Sequence, residues 1–436
     1  MKTTVLKFGG TSLADAGQFR KVRAIIEKDP ARRFVVASAP GKRTPDDTKV
    51  TDLLYRCFDQ AFSGGDFAAT LHQVDNRFFD IICDLSIDFD IASEIEIIRT
   101  HLKTAPQRDY MASRGEYLNS KILAAYLGWD FVDPAHCVRF DDYGHLDQDA
   151  TYKMLAETLR SKEHAVIAGF YGRKADGAIK TFSRGGSDFT GAIVAAAVCA
   201  DIYENWTDVS GMLAADPRIV DDPRVVEYIN YRELRTLSYM GASVLHTDAV
   251  VPVAKAGIPV NIRNTNRPED PGTTIVAKLP ESAELHPMTG VAGRKGMSVV
   301  QVEKSMVSDG AGFTAVILDL FKNYHVPFEQ CLTGIDTVSV IVRSDLLAPA
   351  KEKILRDIKE KLDPDVLYVE DKLSMITIVG ESAGPSPGLI GRILSAVAAA
   401  GVNLSTVNQG AGALNLIIGV GEDDYEKTIK AIYQIL

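Results

Sequence analysis

The sequence predicts an α/β protein: one domain with a mainly parallel central sheet covered by helices, then two smaller α+β modules. Two observations predict this fold class. Nearly continuous apolar strand segments alternate with helical segments up to about residue 285, a pattern typical of parallel strands buried on both faces. Beyond that point the order strand, helix, hairpin strands, helix occurs twice, which indicates an internal duplication. Two unrelated α+β pieces are the alternative for this second half.

The first domain is predicted to cover residues 1–285. It opens with a strand at "TTVLKFGG", a helix at "AGQFRKVRAIIEK" and a strand at "RFVVASAP". After a mostly helical stretch, strands return at "HAVIAGFYG" and "DIYENWTDV", with a hairpin "GRKADGAIKTF" and a helix of small apolar residues between them. That helix has no polar face over Ala192 to Ala197, so we expect it to be buried. The Pro/Gly-rich "NRPEDPGTT" indicates a closing loop.

The two modules are predicted at residues 286–370 and 371–436. The first contains the segments "GMSVVQVEKSM", "GFTAVILDLFKNYH", "TVSVIVR" and "LAPAKEKILRDIKEKL", and the second contains "LSMITIVGES", "GLIGRILSAVAAAG", "ALNLIIGV" and "DDYEKTIKAIYQIL". Each follows the pattern of a small βαββαβ unit. Two placements are open for residues 288–294: within the first module, or as an added strand of the second.

Composition excludes several classes of protein. The 436 residues are 46% hydrophobic and 24% charged, and their net charge of −10 disfavours binding of nucleic acid through general basicity. No apolar run is long enough to span a bilayer, and the start has no signal-peptide core, so we expect a cytoplasmic protein with no membrane partner. Five scattered cysteines without CxxC pairing are typical of free thiols, and no spacing predicts a metal site.

The first candidate site is the turn after the first strand. Lys7 stands near the end of that strand, Gly9 and Gly10 let the backbone approach a ligand closely, and Thr11 and Ser12 open the next helix. Such parts form a phosphate cradle at the carboxyl end of a strand, where open α/β sheets bind ligands. No GxxxxGK[ST] motif is present, and glycine turns after strands are also common without a ligand.

The second candidate site is "RGGSD", which precedes the apolar helix. Gly185 and Gly186 permit backbone angles that side chains forbid, and Ser187 or Asp188 is a natural N-cap. The planar fork of Arg184 suits a carboxylate or a phosphate, and a helix N-terminus favours an anion. An ordinary capped helix explains this stretch alone equally well.

Further candidates lie in "WTDVSGMLAADPR" and "SRGEYLNSK". Thr207 and Asp208 are predicted at the end of a strand, where they could hold a nucleotide or orient its metal, and Arg218 could reach phosphates. A solvated loop is the favoured explanation for that stretch alone. Glu116 is predicted to open a helix, where it would complement the helix dipole. In a cleft beside Arg184, the two side chains would instead clamp the ammonium and carboxylate of an amino acid.

Together these motifs are far more specific than any one of them. "KFGGTS", "RGE", "RGGSD" and "WTDV…ADPR" resemble the aspartate kinases of the amino acid kinase family, and "YMGASVLHTDAVVPVAKAGIPVNIRNT" continues the match. The duplicated tail looks like the paired ferredoxin-like ACT regulatory domains of those enzymes. The resemblance implies transfer of the γ-phosphoryl group of ATP, with Mg²⁺, to the side-chain carboxylate of L-aspartate. The product would be 4-phospho-L-aspartate. This reaction is the first step in the synthesis of lysine, threonine, methionine and often diaminopimelate.

The resemblance also implies residue roles, carried over by motif. Lys7 would lie by the transferring phosphoryl group and Asp188 would organise the catalytic centre. Glu116 would meet the substrate ammonium and Arg184 its α-carboxylate. The remaining residues of the aspartate pocket would be Ser38, Thr51, Gly185, Gly186 and Ser187. The nucleotide site would be formed by Lys7, Gly9, Gly10, Thr11, Ser12, Thr207, Asp208, Leu213, Arg218, Ser243 and Val244.

The sequence departs from the family pattern at several places, one of which is Ser183, which precedes Arg184 where a glycine is usual. Many members have a lysine in "GAKVLHP" where this chain has Ser243, so a second phosphate-binding lysine is not assignable by motif. Many have a tyrosine where Leu213 stands. The loop "APGKRTPDDTKVTD" is longer than the common form, which affects the placement of Ser38 and Thr51.

The resemblance implies a regulatory second half. ACT domains usually pair side by side and bind small amino acids at the interface, so we expect a homodimer or higher homo-oligomer with lysine or threonine as effector. The candidate effector residues are Met306, Asp309, Gly312, Phe313, Glu329 and Asn403. Acidic groups such as Asp309 or Glu329 suit a cationic effector, which favours lysine. A purely structural dimer interface is the alternative.

Three other functions compete with this interpretation. A kinase of the same fold could act on glutamate, acetylglutamate, carbamate or a nucleoside monophosphate, but such kinases would not share Glu116 with "RGGSD" or normally carry two ACT modules. A non-catalytic amino-acid sensor is disfavoured by the presence of Lys7, Arg184 and Asp208. A bifunctional kinase–homoserine dehydrogenase would need a further domain after Leu436.

Overall fold

The computed structural model describes residues 2–183, 185–242, 245, 247–281, 283, 286–305, 312–380, 387–410 and 415–435. The chain divides into two compact units. The first consists of Met1–Met212, Val225–Ser238 and Ser243–Ala283, and the second of Leu213–Arg224, Tyr239–Ala242 and Glu284–Leu436. The domain boundaries predicted at residues 285 and 370 stay predictions.

The elements up to residue 276 alternate between strands and helices. The strands are β1 (Thr4–Phe8), β2 (Arg32–Ala37), β3 (Asp130–Val132), β4 (Arg139–Phe140), β5 (Ala165–Ala168), β6 (Tyr171–Lys174), β7 (Ile179–Thr181), β8 (Ile202–Thr207), β9 (Met212–Leu213), β10 (Val225–Val226), β11 (Tyr228–Asn230), β12 (Val260–Asn264) and β13 (Thr273–Val276). The helices are α1 (Ala16–Glu27), α2 (Val50–Phe62), α3 (Ala68–Leu85), α4 (Ile91–Thr104), α5 (Arg108–Leu127), α6 (Gln148–Arg160), α7 (Gly186–Ala197), α8 (Tyr231–Tyr239) and α9 (Val251–Ala256).

The central sheet of the first unit is mainly parallel, as the sequence predicts. Its strand order is β11-β13-β12-β8-β1-β2-β5-β3, and the β1–β2, β1–β8, β2–β5, β3–β5, β8–β12 and β11–β13 pairs are parallel. The β12–β13 pair is antiparallel. The chain builds the sheet outward from β1 in both directions, so the carboxyl end of β1 lies at a topological switch point, where such sheets bind ligands.

The core of this unit explains why these segments fold as they do. Every residue of β1 is buried, as expected of a central strand covered on both faces. Helix α7 buries Ala192, Ile193, Val194 and Ala195, which confirms the prediction for the apolar helix. The predicted hairpin is formed by β6 and β7, which pair in antiparallel fashion.

A buried ionic cluster ties together the two strands that flank β1. Glu204 on β8 accepts hydrogen bonds from the Nε and Nη2 atoms of Arg32 on β2, both at 3.0 Å. The indole Nε1 of Trp206 donates to the same carboxylate at 2.9 Å, and Arg263 on β12 lies 3.8 Å away. Because a buried charge is tolerated only with such partners, the cluster fixes the spacing of β2, β1 and β8.

The second unit contains one six-stranded antiparallel sheet. Its strands are β14 (Gly290–Glu303), β15 (Phe328–Thr333), β16 (Thr337–Arg343), β17 (Val366–Val379), β18 (Leu404–Gln409) and β19 (Asn415–Gly421), in the order β15-β16-β14-β17-β19-β18. Its helices are α10 (Phe313–Asn323), α11 (Ser344–Leu347), α12 (Lys351–Leu362), α13 (Leu389–Ala399) and α14 (Tyr425–Tyr433).

Two long strands connect the halves of this sheet. Strand β14 pairs with β17 along both of their lengths, and residues 290–294 lie opposite residues 375–379, which also pair with β19. One hydrophobic cluster includes residues of α10 and α12, and a second includes residues of α13 and α14 together with Ile219 and Val220. The two clusters match the two-module α+β architecture predicted from the repeat. In the parts of the chain described above, no helix is both long and apolar enough to cross a membrane.

Candidate active site

The carboxyl ends of β1, β2, β5 and β8 meet at one edge of the sheet. Gly9, which follows β1, donates its backbone N–H to the carbonyl of Trp206 on β8 at 2.9 Å. Ser38, which follows β2, donates to the carbonyl of Phe8 at 3.2 Å, and Gly169, which follows β5, donates to Ala37 at 3.1 Å. The turns predicted to bind ligand after β1 and β8 are therefore neighbours.

Lys7 is held at this edge by an ion pair with Asp188. Its Nζ atom lies 2.6 Å from the Oδ1 atom of Asp188, and the two side chains are 10% and 17% exposed. The Nδ2 atom of Asn205 donates to the same oxygen at 2.9 Å. Asn205 lies opposite Lys7 in the β1–β8 register, so both side chains are on the same face of the sheet. The result is an oriented ammonium group beside the Gly9 backbone.

The start of α7 differs from the prediction in one respect. The N-cap residue is Gly185, which has a left-handed φ of 75°, so the prediction of Ser187 or Asp188 as N-cap is wrong. Ser187 and Asp188 lie within the first helical turn, and the Asp188 carboxylate contacts Lys7 and Asn205. No side chain of the described residues caps this helix, so first-turn N–H groups are available to an anion. Arg184 lies outside the described residues.

Glu116 lies in the middle of α5, so the prediction that it opens a helix is wrong. Its side chain is buried, and its Oε2 atom has no hydrogen-bond partner among the described residues. Burial raises the pKa of Glu116 to about 8, although a backbone hydrogen bond from Ala39 and the charge of Lys7 act to lower it. A buried carboxylate oxygen without a partner is rare in folded proteins and is suited to accept hydrogen bonds from a ligand ammonium.

The loop after β2 packs tightly against α5. The Nδ2 atom of Asn119 donates to the carbonyl of Ser38 at 2.7 Å. A Cβ atom at Gly115 would lie 2.7 Å from the Cβ atom of Ala39, so only glycine allows this approach. Thr51 is the second residue of α2 and is partly exposed. Asn119 and Gly115 of α5 therefore hold the loop that carries Ser38 against the helix that carries Glu116.

The residues predicted to bind nucleotide occupy the turns after β1 and β8. A Cβ atom at Gly10 would lie 2.9 Å from the carbonyl oxygen of Ala39, so the two loops are in backbone contact. Thr11 is exposed, whereas the hydroxyl of Ser12 is hydrogen bonded to that of Thr265 at 2.7 Å. Thr207 donates to the exposed Asp208 at 3.2 Å. Exposed hydroxyl and carboxylate groups thus line the turns.

The other residues predicted to bind nucleotide do not lie in the turns after β1 and β8. Leu213 is on the short strand β9 and is partly buried. Arg218 belongs to the second unit, where it is exposed and bonds the Asp216 carboxylate at 2.6 Å. Ser243 and Val244 lie outside the described residues.

The effector candidates lie on the second unit. Met306 and Asp309 are outside the described residues. Gly312 is the N-cap of α10 and Phe313 is its first, buried residue, while Asn403 is exposed just before β18. The carboxylate of Glu329 on β15 accepts a hydrogen bond from the hydroxyl of Tyr239 at 2.6 Å, and an Nη1 atom of Arg294 lies 4.0 Å away.

Three residues of the site were missed from the sequence. Asn205 could have been found, since it lies two residues before Thr207 and therefore on the same face of a predicted strand. Asn119 lies three residues after Glu116, on the same face of a helix. Thr265 left no signal, because 253 residues separate it from its partner Ser12.

A cavity of about 550 Å³ opens beside the start of α7. Its lining includes Tyr55, Arg108, Lys180 and Phe189. Burial raises the pKa of Tyr55, and the charge of Glu116 acts in the same direction. Among the described residues, no group of three His, Cys, Asp or Glu side chains is arranged to hold a metal ion.

Comparison with known proteins identifies the class of protein that carries this site. Residues 2–264 match the model of the amino acid kinase family, and residues 376–436 match an ACT domain. Aspartokinase 3 of Bacillus subtilis is 36% identical over 449 aligned residues, which cover 99% of this chain and 98% of that protein.

Two solved structures extend the comparison. The crystal structure of aspartate kinase from Clostridium acetobutylicum is 43% identical and superposes with a TM-score of 0.92, over 100% of this chain and 99% of its own. E. coli aspartokinase III, solved in complex with aspartate and ADP, shares the fold at 23% identity with a TM-score of 0.76 over 100% of both chains. The chain therefore belongs to the amino acid kinase family and, within it, to the aspartate kinases.

Proposed function

We propose that this chain transfers the γ-phosphoryl group of MgATP to the side-chain carboxylate of L-aspartate, which yields 4-phospho-L-aspartate and ADP. The observation that carries the proposal is the buried Glu116 carboxylate, whose Oε2 atom has no hydrogen-bond partner among the described residues and whose pKa the charge of Lys7 acts to lower. A site that transfers a phosphoryl group to an amino acid needs a negative charge for the ammonium group, here Glu116. It also needs a positive charge for the phosphoryl group, here Lys7. The full-length similarity to Aspartokinase 3 of Bacillus subtilis supports the same activity.

The aspartate pocket is proposed to lie between α5, the loop after β2 and the start of α7. Glu116 receives the substrate ammonium, and Arg184 receives the α-carboxylate by its position before Gly185 and Gly186. Ser38, Thr51 and Ser187 complete the pocket. The adjoining cavity of about 550 Å³ is large enough for such a small substrate.

ATP is proposed to bind along the turns after β1 and β8. Gly9, Gly10, Thr11 and Ser12 line the phosphates. The remaining nucleotide contacts are proposed for Thr207, Asp208, Leu213, Arg218, Ser243 and Val244. Mg²⁺ would enter with ATP and would offset the negative charge of the phosphates, and Asp208, the exposed carboxylate at the end of β8, would contact it.

The reaction requires positioning and charge neutralisation more than covalent chemistry. A side-chain oxygen of aspartate attacks the γ-phosphorus, the bond from that phosphorus to the bridging β,γ-oxygen breaks, and ADP leaves. The attacking carboxylate is already ionised at neutral pH, so no general base is needed. Lys7, oriented by Asp188, and the uncapped N–H groups of α7 stabilise the negative charge on the transferring group.

The ACT region is proposed to form a homodimer or higher oligomer and to bind an inhibitory amino acid. The six-stranded sheet ends in β15 and β18, each with a neighbour on one side, and such edges can pair with a second copy. Lysine is favoured over threonine because the candidate residues include Asp309 and Glu329. Feedback by lysine would fit a first step toward lysine, threonine, methionine and diaminopimelate in the cytoplasm.

The test measures ATP-dependent acyl phosphate formation, trapped by hydroxylamine, with L-aspartate, L-glutamate or N-acetyl-L-glutamate as substrate. We expect turnover with L-aspartate and at most traces with the other two acids. Added lysine or threonine identifies the effector, and insensitivity to both would leave the kinase intact and remove the regulatory proposal. Turnover with glutamate or acetylglutamate and none with aspartate would overturn the substrate assignment.

A further inference from the structure

Arg77 on α3 is a buried cation that the reaction described above does not use. Its side chain is only 5% exposed. Along the chain, it lies far from every candidate site residue. Burying a guanidinium group is costly unless its donors are paired, so a buried arginine indicates that its partners must be held in place.

The partners of Arg77 are backbone carbonyls of the two loops at the active site and one carboxylate of the second loop. Its Nη2 atom donates to the carbonyl of Gly41 at 2.8 Å and to the carbonyl of Ala14 at 3.4 Å. Its Nη1 atom donates to the carbonyl of Thr48 at 3.1 Å and to the carboxylate of Asp47 at 2.9 Å. One side chain therefore contacts the segment after β1 and both ends of the loop between β2 and α2.

Gly41 connects Arg77 to the Gly9–Gly10 turn after β1, which is proposed to bind the phosphates. Its backbone N–H donates to the carbonyl of Gly10 at 2.8 Å, while its own carbonyl accepts from Arg77. A Cβ atom at Gly41 would lie 2.6 Å from the carbonyl carbon of Gly10, so the two loops touch with no room for a side chain. The same loop carries Ser38, and it carries Ala39, whose backbone acts to lower the pKa of Glu116 against the effect of burial.

From these contacts we propose that Arg77 is a positioning residue for the phosphoryl transfer, which fixes the loop of residues 38–48 against the Gly9–Gly10 turn. The proposal rests on the proposed function. Loss of Arg77 would free the Gly41 carbonyl and let the loop move away from Gly10 and from Glu116. Displacement by about 1 Å can cost up to about 100-fold in rate when reacting groups must be aligned.

The contacts of Arg77 with Gly41, Ala14, Thr48 and Asp47, called the Arg77 clamp below, persist across the physiological pH range. Burial alone would raise the pKa of Asp47, but hydrogen bonds from Arg43 and the charges of Arg77 and Arg43 outweigh it and hold that pKa to about 2. Arg43 pairs with Asp47 from the solvent side, with its Nε atom at 3.0 Å from the carboxylate. Among the described residues it bonds neither Gly41 nor Ala14, so it offers a matched control.

The experiment compares Arg77→Met, Arg77→Lys and the control Arg43→Met in the full-length chain. We expect Arg77→Met to raise the KM for L-aspartate about tenfold or more and to lower kcat, with partial recovery in Arg77→Lys, which keeps the charge but loses the fork. Arg43→Met should stay within about twofold of the wild type in both parameters. If Arg77→Met does not fold, Arg77→Lys against Arg43→Met carries the test.

Two readouts separate positioning from mere stability. Burial raises the pKa of Glu116 and the Ala39 backbone acts to lower it, so a loop that moves away should let this pKa rise further. The pH profile of kcat/KM for aspartate should therefore shift upward in Arg77→Met and not in Arg43→Met. Among the described residues, Lys7 and Tyr55 interact electrostatically with Glu116, and neither is a hydrogen-bond partner of Arg77. Amide hydrogen exchange over residues 38–48 should accelerate in the Arg77 variants alone.

The possible failures are distinguishable. Wild-type enzyme without aspartate-dependent turnover would refute the proposed function, while the exchange measurement would still test the Arg77 clamp. Active wild-type enzyme with folded Arg77 variants that match Arg43→Met in KM, kcat and pH profile would overturn the inference about Arg77.

Discussion

The pH dependence of aspartate use follows from the environment of one carboxyl group. Glu116 is buried in α5, its Oε2 atom has no partner among the described residues, and burial raises its pKa to about 8. Only the ionised carboxylate attracts the substrate ammonium. Because the pKa is raised, the productive form of the free enzyme is scarce at acidic pH and accumulates as the pH rises through 8. We therefore predict that kcat/KM for L-aspartate increases with pH.

The magnitude follows from the titration curve. With a pKa of about 8, the ionised fraction rises about ninefold between pH 6 and 7 and about fivefold between pH 7 and 8. Glu116→Gln is shaped like the protonated acid, so it should show a flat profile over this range. At pH 8 it should be about 10- to 100-fold below the wild type, the loss expected for one charge-assisted hydrogen bond.

The assay measures initial rates of acyl phosphate formation at subsaturating L-aspartate and saturating MgATP between pH 6 and 8.5. The KM for ATP is followed in parallel, because it should not share the dependence on Glu116. A wild-type profile that is flat over this range would refute the reasoning. A rise that persists unchanged in Glu116→Gln would assign the titration to another group.

Three further predictions concern the ion pairs and glycines of the fold. Lys7→Met should lower kcat by about 100-fold or more with the fold intact, as judged by circular dichroism. The control Lys162→Met removes an exposed lysine–aspartate pair of the same unit and should leave kcat unchanged. Gly115→Ala should raise the KM for aspartate, since its Cβ would clash with the loop after β2. In the control Gly391→Ala, the added Cβ atom would meet no atom of the described residues within 4 Å, so KM should stay unchanged and stability should rise by up to about 1 kcal/mol on chemical denaturation. Glu204→Ala leaves the buried Arg32 without its carboxylate partner and should cost about 3–5 kcal/mol, seen as a lower Tm.

Much of the fold could be predicted because it depends on local patterns. The buried strand β1 and the apolar helix α7 were visible as runs of hydrophobic residues, and the repeated order of elements indicated the two modules of the second unit. The turns after β1 and β8 were predictable as neighbours once the sheet was taken as parallel, because the ends of parallel strands meet at one edge.

The details of the site depend on contacts that local patterns do not contain. Asp188 looked like a helix cap, but its carboxylate bonds a lysine on the central strand. Glu116 looked like a helix-opening residue because nothing in the sequence shows that α5 begins at Arg108. The contact of Arg77 with Gly41 joins a helix to a loop 36 residues earlier, and no spacing rule predicts it.

The most direct test of the central claim follows the phosphorus atoms. Wild-type enzyme with MgATP and L-aspartate is observed by ³¹P NMR beside Lys7→Met and a sample without aspartate. The account predicts an acyl phosphate resonance that grows in equal amount with ADP, only in the complete wild-type sample. ATP loss that produces inorganic phosphate directly, or an acyl phosphate signal that survives Lys7→Met at the wild-type rate, would contradict it.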